Sequence, residues 1–73
     1  MRVSYLKLWK LLLDKKLKKT DLLKLADIST NTLSKLSKDK SVSMDILVRI
    51  CTALECDISD IAEMIPDENI ENK

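Results

Sequence analysis

Seventy-three residues provide for one hydrophobic core and one domain, and with a single Trp (Trp9), a single Tyr (Tyr5) and no Phe the packing falls to aliphatic side chains. Residues 1–40 carry 11 Lys/Arg against 4 Asp/Glu and residues 41–73 carry 2 against 8, so a net charge of +1 is the sum of a +7 half and a −6 half. No apolar run reaches the roughly 18 to 20 residues of a membrane span, Lys7 and Lys10 interrupt what could otherwise be a leader, and the chain is expected to be cytoplasmic, with no membrane partner.

The apolar spacing is helical nearly throughout, and the absence of glycine argues against hairpins. A first helix is expected from an N-cap at Ser4 to about Lys16. Tyr5, Leu8, Leu11 and Leu12 share its inner arc, while Leu6, Trp9 and Leu13 widen that arc beyond what a surface helix needs. This shoulder is either covered by the last helix, Ile65 or Ile70, or is a surface for a partner. A short second helix covers roughly Lys19 to Ala26, with Asp27-Ile28 as a tight turn, and Ser29 caps a third helix through about Ser37. Residues 37–42 read as a polar loop. Ser43 caps a fourth helix with Ile46, Leu47, Ile50, Cys51 and Leu54 on one face. Ser59 caps a fifth, about Asp60 to Met64, which Pro66 closes. Domain limits are therefore 1–66, with residues 67–73 as a mobile acidic tail.

Catalytic devices are missing: there is no His and no phosphate-cradling glycine loop. Asp57 and Asp60 fall where capping explains them. Cys51 and Cys56 are too few for a zinc site. Five residues apart at a helix end, they are expected to exceed the Cα spacing that a disulfide tolerates, and they read as small buried hydrophobes. No enzyme activity, metal, cofactor or small-molecule ligand is expected.

The informative stretch is Lys19 to Leu36, K-T-D-L-L-K-L-A-D-I-S-T-N-T-L-S-K-L. Two short helices joined by a turn of three or four residues fit a helix-turn-helix whose second helix lies in the major groove of DNA. At about 100° per residue, Ser34, Asn31, Lys35 and Lys38 fall within roughly 140° of Thr30, whereas Thr32, Leu33 and Leu36 fall on the other side. One face therefore holds hydrogen-bonding side chains and the other holds leucines.

With this pattern the chain resembles the phage-repressor and Cro type of helix-turn-helix regulators over about residues 5–65. The residues that carry the resemblance are Leu22, Ile28, Leu33 and Leu36 at the apolar positions and Ser29 at the cap. Asp45 to Leu54 follow as the next helix, and Ile58-Ser-Asp-Ile61 as the start of the last. The chain departs from the family at Asp27, where glycine is usual, at Leu23, where a small residue is usual, and at Lys18, a poor cap.

The resemblance implies an all-α, five-helix fold of the lambda-repressor type, with a motif at about 19–37. It implies sequence-specific binding of double-stranded DNA and regulation of transcription, most often repression. By residue, it implies that Thr30, Asn31, Ser34 and Lys35 face bases and that Lys19, Thr32, Lys38 and Lys40 meet phosphates. A weak homodimer is also implied. The rival reading is a protein-interaction module, antitoxin-like, that keeps the fold without strong DNA binding.

Overall fold

A computed structural model describes residues 1–67. Strand β1 (Arg2–Ser4) leads into helices α1 (Leu6–Asp14), α2 (Lys19–Leu25), α3 (Thr30–Ser37) and α4 (Met44–Leu54). A single 3-10 turn (Ile58–Asp60) and strand β2 (Glu63–Ile65) complete the described chain. The strands pair antiparallel, Arg2 opposite Ile65, Val3 opposite Met64 and Ser4 opposite Glu63. No helix among the described residues is long and apolar enough to cross a membrane.

Each of the four helices gives the core at least one side chain at its apolar period. Tyr5, Leu8, Leu22, Leu36, Ile50 and Ile61 are the largest fully buried side chains, and burial of each aliphatic one contributes about 1.5 to 3 kcal/mol. Leu12, Ala26, Ile28 and Leu54 close the cluster. The expected inner faces of α1, α3 and α4 are therefore the buried ones.

Both ends of the fold depart from an all-helical, five-helix chain. The expected fifth helix is only the 3-10 turn, capped by Asp57, whose carboxylate accepts from the Ile58 N–H at 2.7 Å. The Asp57 N–H in turn donates to Asp60 at 2.9 Å, and Ser59 lies inside the turn. Beyond it the chain extends, because Pro66 biases Ile65 away from helical geometry and β1 supplies hydrogen-bonding partners. Ser4 belongs to β1 and Tyr5 holds the N-cap position of α1, but the Ser4 hydroxyl still accepts from the first helical N–H, that of Leu6, at 3.4 Å. Asp67 is within the described chain, 3.4 Å from the Met1 amine. Ile70 and the rest of the tail lie outside the described residues.

All four helices end in the same way. A residue within two of each helix end is left-handed: Lys16 (φ 61°), Asp27 (φ 54°), Asp39 (φ 56°) and Glu55 (φ 53°). Behind each, a six-to-one backbone bond closes a Schellman cap. The N–H of Leu17 donates to Leu12 at 2.8 Å, Ile28 to Leu23 at 3.2 Å, Lys40 to Lys35 at 2.9 Å and Cys56 to Cys51 at 3.0 Å. The last of these corrects the expected spacing of the cysteines. A 3.0 Å bond between their backbones and standard bond lengths hold the two Cα atoms within about 7 Å, inside the limit for a bridge. Both are free thiols that meet across the cap as its usual apolar pair. Burial first, and then the neighbouring Cys51, push the Cys56 thiol up to about 11.

Candidate nucleic-acid interface

Two helices and a turn form the candidate site, with lengths set by their caps. α2 begins at Lys19 although Lys18 offers no side-chain cap; Asp21 compensates by accepting from the Lys18 N–H at 2.8 Å. The turn places Asp27 in the left-handed region that glycine fills most easily. A short polar side chain makes Asp one of the better substitutes. α3 begins on Ser29, whose Oγ accepts from the Thr32 N–H at 3.1 Å and donates to Thr32 Oγ1 at 3.1 Å.

Burial then sorts the side chains of α3. Leu36 is fully buried and Leu33 half-buried, while Thr30, Asn31, Ser34 and Lys35 are exposed. The helix thus presents outward the four side chains expected to face bases. Thr32 is half-buried and its hydroxyl is engaged with Ser29, which leaves its hydrogen free for an outside acceptor. Lys38 and Lys40 are exposed in the cap of α3, where the bond from Lys40 to the Lys35 carbonyl brings all three lysines to the carboxyl end of one helix. Lys19 is exposed at the start of α2, its Nζ 4.3 Å from the centre of the Trp9 ring.

Three residues hold this surface in place through contacts that sequence reasoning missed. Arg49 of α4 donates through Nη1 to the Asp27 carbonyl at 2.9 Å and through Nε to Asp45 at 3.2 Å. It thereby ties the turn between α2 and α3 to the scaffold. The Tyr5 N–H donates to Asp39 at 3.0 Å, and the Tyr5 hydroxyl donates to the Lys40 carbonyl at 2.9 Å. Arg2 adds an ion pair to Asp39 at 3.7 Å. The loop that carries Lys38 and Lys40 is therefore fastened at Asp39 and Lys40. Apart from the Asp45–Arg49 pair, which is four residues apart on one helix, no local pattern signals these contacts, since 22 residues separate Arg49 from Asp27 and 34 separate Tyr5 from Asp39.

The arrangement offers neutral donors and acceptors at the centre of an exposed helix and ammonium groups around it. That is the division of labour between base edges and phosphates in DNA recognition. Comparison with known proteins points the same way. Residues 7–67 match the Cro/C1-type HTH DNA-binding domain. Among solved structures, the crystal structure of the transcriptional regulator VanUg superposes with a TM-score of 0.88 at 47% sequence identity, over 90% of this chain and 88% of that one. No curated protein matches the chain.

Proposed function

Since the chain belongs to the Cro/C1-type helix-turn-helix DNA-binding family, we propose that it binds double-stranded DNA sequence-specifically and regulates transcription, most simply as a repressor that occupies a promoter. α3 enters the major groove, which admits one α-helix. Thr30, Asn31, Ser34 and Lys35 face base edges there, with Asn31 suited to adenine and Lys35 to guanine. Lys19, Thr32, Lys38 and Lys40 meet phosphates and set the register. Two copies act together on a two-fold site.

The observation that carries this reading is the sorting of α3, in which Asn31, Ser34 and Lys35 stand exposed over a buried Leu36. Likeness to VanUg, a transcriptional regulator, supports the regulatory part.

The experiment compares two variants on duplex DNA. Asn31→Ala is expected to cost about 1 to 3 kcal/mol on the preferred site and to relax preference at one base pair. Lys38→Ala is expected to weaken all sequences alike and to reduce the salt slope by about one. If both variants match the parent, α3 is not the reading head. A parent that binds no duplex at low salt rules out the DNA reading altogether.

A further inference from the structure

Two side chains of the α1 shoulder, Leu6 and Leu13, stay open among the described residues, and the third, Trp9, is partly covered. Leu13 is 75% exposed and Leu6 54%, and Trp9 is half-buried. Where α1 meets the start of α2, Trp9, Leu12, Leu13 and Leu17 line a groove of about 290 Å³, walled otherwise by the stems of Lys18 and Lys19. Its lining is nearly all carbon, and its rim is cationic. The Lys19 ammonium rests over the Trp9 ring at 4.3 Å, a cation–π contact that keeps positive charge at the mouth. Among the described residues, no carboxylate lies within salt-bridge distance of Lys10, Lys16, Lys18 or Lys19.

An apolar groove calls for an apolar side chain, and unpaired ammonium groups beside it call for carboxylates. A second copy of this chain does not meet the second demand through the same face. Between Leu8 and Lys19 the charged residues are Lys10, Lys15, Lys16, Lys18 and Lys19 against Asp14 alone, so like charges would meet. Duplex DNA meets the charge demand, but a thymine methyl is far too small to fill a groove of about 290 Å³.

We propose that this groove is a docking site for an acidic amphipathic segment of another protein, with an apolar side chain seated among Trp9, Leu13 and Leu17 and carboxylates set against Lys18 and Lys19. Docking itself does not depend on the DNA reading. Only its consequence does: because Lys19 is also assigned to a phosphate, the docked segment and DNA compete, and the partner acts as a release switch.

Trp9 is the sole tryptophan, so its fluorescence reports the groove directly. The full chain, without DNA, is titrated with a synthetic Glu/Leu peptide that has its leucines at helical i, i+3, i+4 and i+7 spacing. A scrambled peptide of the same composition is the control. A saturable blue shift is expected, with the scrambled peptide at least tenfold weaker. Leu13→Glu and Lys18→Glu are each expected to weaken the peptide tenfold or more at an unchanged melting temperature, since both residues are exposed. Equal binding of the two peptides, or full binding by Leu13→Glu, overturns the proposal. So does a Trp9 shift with anionic phospholipid vesicles but not with the peptide, which assigns the face to a membrane. A shift with chain concentration alone, abolished by Leu13→Glu, assigns it to a second copy. A duplex titration run beside the peptide separates the two readings, because the peptide result stands whether or not DNA binds.

Discussion

Tyr5 is 1% exposed and still carries a phenol, so its hydroxyl must be paired inside the protein. It donates to the Lys40 carbonyl, and the backbone N–H of the same residue holds Asp39. Burial, reinforced by the Asp39 carboxylate, raises the Tyr5 pKa above its ordinary 10.0. Cys56, pushed from 9.0 up to about 11, is a second group of the same sign. For both, the folded state holds the proton more tightly than the unfolded chain. Their contributions are complete below the unfolded values, and they are lost as pH rises through the folded ones. Urea midpoints measured by circular dichroism are therefore expected to be flat to about pH 9 and then to fall. Cys56→Ala removes the part that begins near pH 9, and Tyr5→Phe the part that begins near pH 10. Tyr5→Phe also costs about 1 kcal/mol at neutral pH for the lost hydrogen bond. A parent whose stability rises above pH 10 contradicts the assignment. The reading of Tyr5 as part of the α1 inner face holds, but its polar half depends on a loop 34 residues away that no local pattern reveals.

Helix ends show where local sequence signals succeed and where they stop. Ser29 and Ser43 cap α3 and α4 as expected, because a cap is a contact between residues three apart. The departure at Asp27 turns out to be general. Without glycine, all four left-handed cap positions are filled by Lys, Asp or Glu, each at a cost of about 1 kcal/mol or more. Lys16→Gly is the simplest test, since Lys16 is exposed and takes part in no ion pair within the described chain. It is expected to raise stability by about 0.5 to 1 kcal/mol, after allowing for the greater freedom of glycine in the unfolded chain. A destabilised variant in thermal melts would show that the Lys16 side chain makes contacts that outweigh the backbone strain. The sheet was illegible for the opposite reason. Its strands are three residues long and about 60 apart in sequence, too short for a period-two pattern and too distant for a turn signal. Pro66, expected to close a helix, instead serves β2 through its bias toward extended geometry at Ile65.

At the scale of the whole molecule, the proposed action of two copies on DNA requires a surface that joins them. Half-sites about 34 Å apart need a fixed pair, and one short helix offers too few contacts for tight binding alone. Two surfaces are first candidates for pairing, the α1 shoulder and the acidic C-terminal stretch from Ile61 to Ile65. Ile61 is fully buried and belongs to the core, and Ile65 is half-buried in β2, which leaves Met64, 65% exposed, as the one open large apolar side chain of that stretch. The shoulder is ringed by lysines and repels its own copy. A third surface remains, legible only in the fold. Met44 (63% exposed), Val48 (55%) and Ile58 (38%) border a groove of about 240 Å³ beside α4. Asp57 is the charged residue of its lining, and Asp45 and Arg49 of α4 pair with each other at 3.2 Å. Mixed charge of this kind lets a two-fold copy approach without like-charge repulsion. Arg49 also holds the Asp27 carbonyl, so pairing through α4 fixes the two copies of α3 relative to each other. Val48→Glu is therefore expected to leave the melting temperature within the small range of surface changes and to abolish cooperative binding on a palindromic site. Leu13→Glu is expected to leave that cooperativity intact. Sedimentation with parallel DNA titration reads both. If Val48→Glu binds as cooperatively as the parent, the pair forms elsewhere. If the parent binds strictly one chain per site, the pair does not form.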